Sequence, residues 1–192
     1  MPNNLSNAQG VYAIATTPFL DNGEVDFNSV DKLSDYYLEC GSTGITILGV
    51  MGEAPKLNLD EQKKLVKRYV KNLRDKIPIV IGVSNPGLDN LRNIANEGMQ
   101  MGANGVMVAG INGLKNDEQI ENYFEQVVQY LDSIPICLQD YPPTTNVYFS
   151  VSTIEKIFSK YPQFEMFKHE DCPGHKKLTQ LVMGKIDRTI RP

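Results

Sequence analysis

Apolar residues along this chain fall into two alternating rhythms. Short, nearly continuous β-rich runs occupy residues 11–17, 44–48, 77–83, 105–109, 134–138 and 164–168. Between them lie longer stretches in which apolar residues return at helical spacing, over residues 27–40, 60–74, 89–101, 117–131 and 151–161, with a sixth beginning at 176–183. Residues 60–74 bury a stripe of Leu65, Val66, Tyr69, Val70 and Leu73, with Asp60 as a candidate cap. Gly41 is placed to stop the first helix. Strand starts recur about every 30 residues, the length of one βα unit. Runs such as Ile45, Ile47, Leu48 or Ile79, Val80, Ile81 read as strands covered on both faces, which belong to parallel sheets. The fold class is therefore α/β with parallel strands in a single domain spanning residues 1–192. The pattern alone leaves open a closed barrel or an open doubly wound sheet. A Gly-x-Gly-x-x-Gly turn after the first strand would favour the latter, but Pro18-Phe19 stands there instead.

Composition narrows the function classes. The 192 residues are 41% hydrophobic and carry a net charge of −4, with a sequence pI near 5.2. A mildly acidic chain is not suited to coating nucleic acid or an anionic membrane. Lys63, Lys64, Lys67 and Lys71 share helical spacing with Asp60 and Glu61 and read as a solvated face. No apolar run approaches a membrane span, and residues 1–10 lack the apolar core of a signal peptide. Cys40, Cys137 and Cys172 are odd in number and far apart, so reduced thiols in a cytoplasmic protein are expected.

Several motifs coincide. The first strand reads Ala13-Ile14-Ala15-Thr16-Thr17-Pro18-Phe19. The second ends Leu48-Gly49-Val50-Met51-Gly52-Glu53, followed by Leu57-Asn58-Leu59-Asp60-Glu61. The sixth reads Phe164-Glu165-Met166-Phe167-Lys168. On these residues the chain resembles the dihydrodipicolinate synthase and N-acetylneuraminate lyase family, over essentially its whole length to about Leu181. The resemblance implies a TIM (β/α)₈ barrel, here incomplete at about six βα units, with the active site at the carboxyl ends of the strands. The last two units and the family's C-terminal helices are absent, and residues 183–192 do not look like a seventh strand. The expected consequence is a truncated product, a gene fragment or a chain that needs a partner.

The resemblance also implies a lyase, aldolase or dehydratase that forms a Schiff base with pyruvate or a related 2-oxo acid, with an aldehyde as a further substrate. Lys168 would attack the keto carbon; carried inward at a strand end, its amine is desolvated, which favours the neutral form. Backbone amides of Val50 and Met51, in the turn opened by Gly49, would hold the carboxylate, with Thr16 nearby. Glu53 reads as structural. No organic cofactor and no metal is implied, and the family's usual assembly is a homotetramer.

The chain departs from the better-known members. Their relay tyrosine aligns with Gln139, their relay threonine with Val50, and the loop at residues 110–113 lacks the tyrosine a neighbouring subunit supplies. Thr144 stands where the lysine-biosynthesis enzymes carry an arginine for the second substrate. Gln139 can donate a hydrogen bond but cannot replace tyrosine in proton transfer. Tyr141 and Asp140 are the candidates to substitute for it. In the cluster His169, Glu170, Asp171, Cys172 and His175, His169 should point away from Lys168 by strand alternation, and Glu170 or Asp171 is placed to meet substrate hydroxyls. Two further readings stand beside the Schiff-base enzyme: a catalytically inactive family member acting at most as an interaction partner, and 4-hydroxy-tetrahydrodipicolinate synthase proper.

Overall fold

A computed structural model describes residues 5–184. It contains six parallel strands in sequential order, β1 (Tyr12–Ile14), β2 (Gly44–Ile47), β3 (Ile79–Gly82), β4 (Gly105–Ala109), β5 (Ile136–Asp140) and β6 (Phe164–His169). Between them run α1 (Phe27–Glu39), α2 (Leu59–Leu73), α3 (Leu88–Met101), α4 (Asp117–Leu131), the short α5 (Pro142–Thr145) and α6 (Val151–Lys160), and α7 (His175–Met183) follows β6. Among the described residues the sheet is open, with β1 and β6 as its edges. The end of the chain, read above as unlike a seventh strand, lies largely outside the described residues.

Local chemistry explains most boundaries. α1 ends in a Schellman arrangement: Gly41, at φ 80°, donates to the Leu38 carbonyl, and Ser42 donates to that of Tyr37. α2 begins earlier than expected, because Asn58 rather than Asp60 is the cap. Glu61 N donates to Asn58 Oδ1 at 2.9 Å and Asn58 N donates to Glu61 Oε2 at 2.8 Å, a reciprocal box that satisfies two amides at once. β1 is shorter than its apolar run. β5 lies two residues later than its run, so Gln139 and Asp140 are inside the strand rather than beyond it.

The core has two layers. Ile45, Ile47, Ile79, Ile81, Val106, Val108, Leu138 and Phe167 face the helices and join their buried stripes in one cluster. On the other face Val80, Met107 and Cys137 meet Tyr12 and Met166 and are closed from below by Leu5, which is fully buried in a 3₁₀ turn before β1. The amino-terminal turn thus plugs the concave face, and Ser6 N donates to Glu165 Oε2 of β6 at 2.8 Å.

β5 and β6 pair with an irregularity. Ile136 is opposite Phe164, but Cys137 is opposite Met166, so Glu165 is the extra residue of a bulge. Phe164 therefore stays on the helix side, while Met166 and Lys168 turn to the concave face beside Cys137 and Gln139. At Gly82 an added Cβ would stand 2.2 Å from the Leu48 carbonyl oxygen, on a turn where Leu48 holds φ 55°. Only glycine lets β3 approach the loop after β2 so closely.

Two outcomes follow. Leu5→Ala should cost about 2–5 kcal/mol by urea unfolding, since it empties the plug. Gly82→Ala should cost about 1–3 kcal/mol through overpacking and displace the loop after β2.

Candidate active site

The carboxyl ends of β2, β3, β4 and β5 border a cavity of about 460 Å³, and Lys168 on β6 lies outside its lining. Its walls come from residues 48–50 after β2, 82–86 after β3, 109–112 after β4, and Gln139, Tyr141, Thr144 and Thr145 from β5 onward. Met107 forms part of the lining. No lining residue carries a charge; the polar ones include Ser84, Asn85, Asn112, Gln139 and Tyr141.

The loop after β2 is a tight turn. Gly52 N donates to the Gly49 carbonyl at 3.1 Å and Glu53 N to that of Val50 at 3.0 Å, with Leu48 and Glu53 both at positive φ. Thr17 Oγ1 donates to the Gly52 carbonyl at 2.6 Å, tying the loop to the segment just after β1. The hydroxyl that anchors the loop is thus that of Thr17. Thr16 is exposed, and its backbone meets two tyrosines: its N–H donates to Tyr37 Oη, and its carbonyl accepts from Tyr69 Oη. Gly49 and Val50 line the cavity, whereas the Met51 side chain is 58% exposed and, with Thr16, is outside the lining set. Glu53 pairs with Lys56 at 2.5 Å.

Lys168 lies at the carboxyl end of β6, opposite Gln139 in register and on the same concave face. Its Nζ is 2.8 Å from Glu170 Oε2, and that oxygen also accepts from Gln139 Nε2 at 2.7 Å. One carboxylate oxygen therefore joins the lysine to the residue that borders the cavity. Below them the Cys137 thiol is fully buried, and burial pushes its pKa up to about 12. It is a packing group rather than a nucleophile.

Asp140 and His169 take the other face, as strand alternation requires. Asp140 is fully buried, and its Oδ2 lies 2.9 Å from His169 Nδ1 and 2.9 Å from Lys177 Nζ of α7. Lys177 also reaches Asp171 at 2.7 Å, and His169 Nε2 faces the Gly174 carbonyl at 3.1 Å. His169 stacks on Phe167 with centroids 5.4 Å apart. This corrects the expectation that Asp140 stands at the substrate: it belongs to a latch that fastens α7 to the back of β5 and β6. Asp171 joins the same latch. Tyr141, by contrast, borders the cavity, as the residue before α5, and its carbonyl accepts from the Thr144 and Thr145 amides.

Electrostatics bind the latch. Burial lowers the Lys177 pKa, but hydrogen bonds to Asp171 and Asp140 outweigh it, so the net shift is upward. The Lys177 hydrogen bond is the main cause that lowers the Asp171 pKa. A raised lysine adds stability that is complete below its ordinary range and lost as pH rises through the raised value. A lowered aspartate adds stability that is complete above its ordinary range and lost as pH falls through the lowered value. The latch is therefore strongest across neutral pH. Lys177→Met should cost about 3–5 kcal/mol, because it strands the buried Asp140 carboxylate. Asp140→Asn in the same chain should restore part of that loss, as read from denaturant midpoints.

The latch, and the contact of Glu170 with Gln139 and Lys168, were the features least visible in the sequence, although Glu170 and Asp171 themselves were candidates. The alternating parity around Lys168 was the available signal for the latch. The meeting of Glu170 with Gln139 depends on a contact across 31 positions.

The profile of the Dihydrodipicolinate synthetase family matches residues 7–184. Among solved structures, a dihydrodipicolinate synthase from Rhodopseudomonas palustris is 40% identical with a TM-score of 0.92, over 98% of this chain and 62% of that one. The 4-hydroxy-tetrahydrodipicolinate synthase of Aquifex aeolicus is 27% identical over 91% of this chain and 58% of its own length. That of Thermotoga maritima is 37% identical over 52% of this chain and 34% of its own length. The chain thus spans about three fifths or less of the length of these relatives.

Proposed function

The chain belongs to the dihydrodipicolinate synthetase family, and from that premise we propose that it carries the keto-acid half of a Schiff-base lyase site for pyruvate or a related 2-oxo acid. Lys168 attacks the keto carbon, and the iminium it forms draws electrons from the neighbouring carbon, so that a C–C or C–O bond there can form or break. The turn at Gly49, Val50 and Met51 receives the carboxylate on its backbone amides. The observation that carries this is the position of Lys168: on the concave face, at the carboxyl end of a strand, beside the cavity-lining Gln139. Barrel enzymes assemble their chemistry at that face. The site acts in the cytoplasm and, by the same family reasoning, within a homo-oligomer.

The cavity also bears on the second substrate. An aldehyde carrying its own carboxylate would need a cation there, and none of the lining residues supplies one. Thr144, partly in place of a guanidinium, offers a hydroxyl. A neutral, hydroxylated aldehyde suits walls of Ser84, Asn85, Asn112 and Tyr141 better than an amino-acid semialdehyde. That favours a sugar-acid aldolase or dehydratase over 4-hydroxy-tetrahydrodipicolinate synthase proper.

The test is incubation of the full chain with pyruvate and borohydride, followed by intact mass and peptide mapping. A reduced pyruvate adduct on Lys168, absent in Lys168→Ala, is the expected result; a soluble, folded chain without adduct would overturn pyruvate chemistry. With the adduct in hand, glyceraldehyde should consume the pyruvate carbon nucleophile at least ~10-fold faster than succinic semialdehyde, the effect of one unpaired buried charge being of that order or more. The reverse order would sink the neutral-aldehyde assignment.

A further inference from the structure

The keto-acid chemistry needs a group that moves protons at Lys168, and the side chains aligned with the family's relay do not supply one. Gln139 has no titrating proton in the working range. Asp140 is on the opposite face, held by His169 and Lys177. Val50 has no hydroxyl. The carboxylate that touches the reacting nitrogen is Glu170: its Oε2 is 2.8 Å from Lys168 Nζ and 2.7 Å from Gln139 Nε2. Its side chain is 30% exposed and that of Lys168 22%, so the pair is sheltered yet open to a small substrate. Glu170 N donates to the Asp140 carbonyl at 2.8 Å, which continues the β5–β6 pairing one residue past the strand and fixes the backbone of Glu170.

On the premise of the proposed Schiff-base site, we propose that Glu170 is its general acid–base residue, taking the proton from the Lys168 ammonium and returning it to the departing hydroxyl. The sequence balances. The carboxylate accepts one proton from the ammonium, and the freed amine attacks the keto carbon. The C–N bond forms as the carbonyl π pair moves to oxygen. A proton passes from nitrogen to that oxygen, giving the carbinolamine. The Glu170 carboxylic acid then protonates the hydroxyl, the C–O bond breaks, water leaves, and the nitrogen lone pair forms the iminium. Glu170 ends as the carboxylate it began as, and no further reactant enters.

The same contact explains Gln139. An amide that donates to Glu170 Oε2 orients the carboxylate toward Nζ without competing for its proton. Among the described residues, the groups that face Glu170 include the Lys168 amine from β6, the neutral Gln139 amide from β5, and the Cys137 thiol, whose pKa burial pushes up to about 12. Asp171 and His169 are its chain neighbours but are engaged in the latch. Removing the Glu170 carboxylate should therefore change how the rate of imine formation depends on pH.

The experiment is a quenched time course of borohydride trapping with pyruvate across pH, on wild type, Glu170→Gln and Glu170→Asp, with Lys168→Ala as blank. Wild type should form the Lys168 adduct with a rate that depends on pH. Glu170→Gln should reach the same adduct at long times but at least ~10²-fold more slowly, the usual contribution of acid–base catalysis, and lose the carboxylate inflection. Glu170→Asp should retain the inflection at a reduced rate; if Glu170→Gln does not fold, this variant decides, and a wild-type rate in it overturns the role. A wild-type rate and profile in folded Glu170→Gln likewise overturns it while leaving the keto-acid assignment standing. No adduct in wild type overturns that assignment and the role of Glu170 together.

Discussion

The pairing of β5 with β6 governs the site. Its bulge at Glu165 moves Met166 and everything beyond it by one face, so that Lys168 joins Gln139 on the concave side and His169 joins Asp140 on the helix side. A one-residue slip in a strand exchanges its two faces. Without the bulge, the alternation that buries Phe164 among the helices would carry Lys168 to the same side. The Ser6 amide bonded to the Glu165 carboxylate and the plug of Leu5 lie at the opposite end of the same strands. The amino-terminal turn thus holds the extra residue whose displacement orients the lysine.

Much of this architecture was legible in the chain. Short two-face-buried runs separated by amphipathic stripes point to parallel βα units, because parallel strands are usually covered on both faces, here by helices outside and by side chains and the Leu5 turn inside. Gly41 as a stop was readable from one residue, since the αL position after a helix favours glycine. The resemblance singled out Lys168 and the turn at Gly49. What escaped were features set by long-range partners. The cap moved from Asp60 to Asn58 because Asn58 has Glu61 three residues on. β5 extended to Asp140 because pairing with β6 continued past the apolar run. Asp140 could not be assigned a face until that register was known, and neither could its separation from the cavity.

The site uses two lysine–carboxylate groups, back to back across the same strands. Lys177 with Asp140 and Asp171 lies under α7, where Asp140 is fully excluded from water and breaking the set strands a charge. Lys168 with Glu170 lies beside the cavity-lining Gln139, where both ends keep some access. Burial separates the two sets. The first fixes the ends of β5 and β6 in place; the second stays partly open to solvent. Alternate residues of each strand serve the two sets, so the rigidity of one is delivered to the other through a single backbone.

That coupling gives the departures from the family pattern a common physical form. Gln139 carries no titrating proton but places a donor at the carboxyl end of β5. Such a donor is useful only if a carboxylate stands within reach, and Glu170 supplies it on the adjacent strand. The change at Gln139 and the carboxylate two residues beyond Lys168 therefore make chemical sense together and little apart: an amide alone moves no proton, and a carboxylate alone would be free to turn away from the amine. Gln139 also forms part of the cavity wall. Through one amide, the cavity wall is connected to the Lys168–Glu170 pair, so a ligand that shifts Gln139 also shifts the carboxylate beside Lys168.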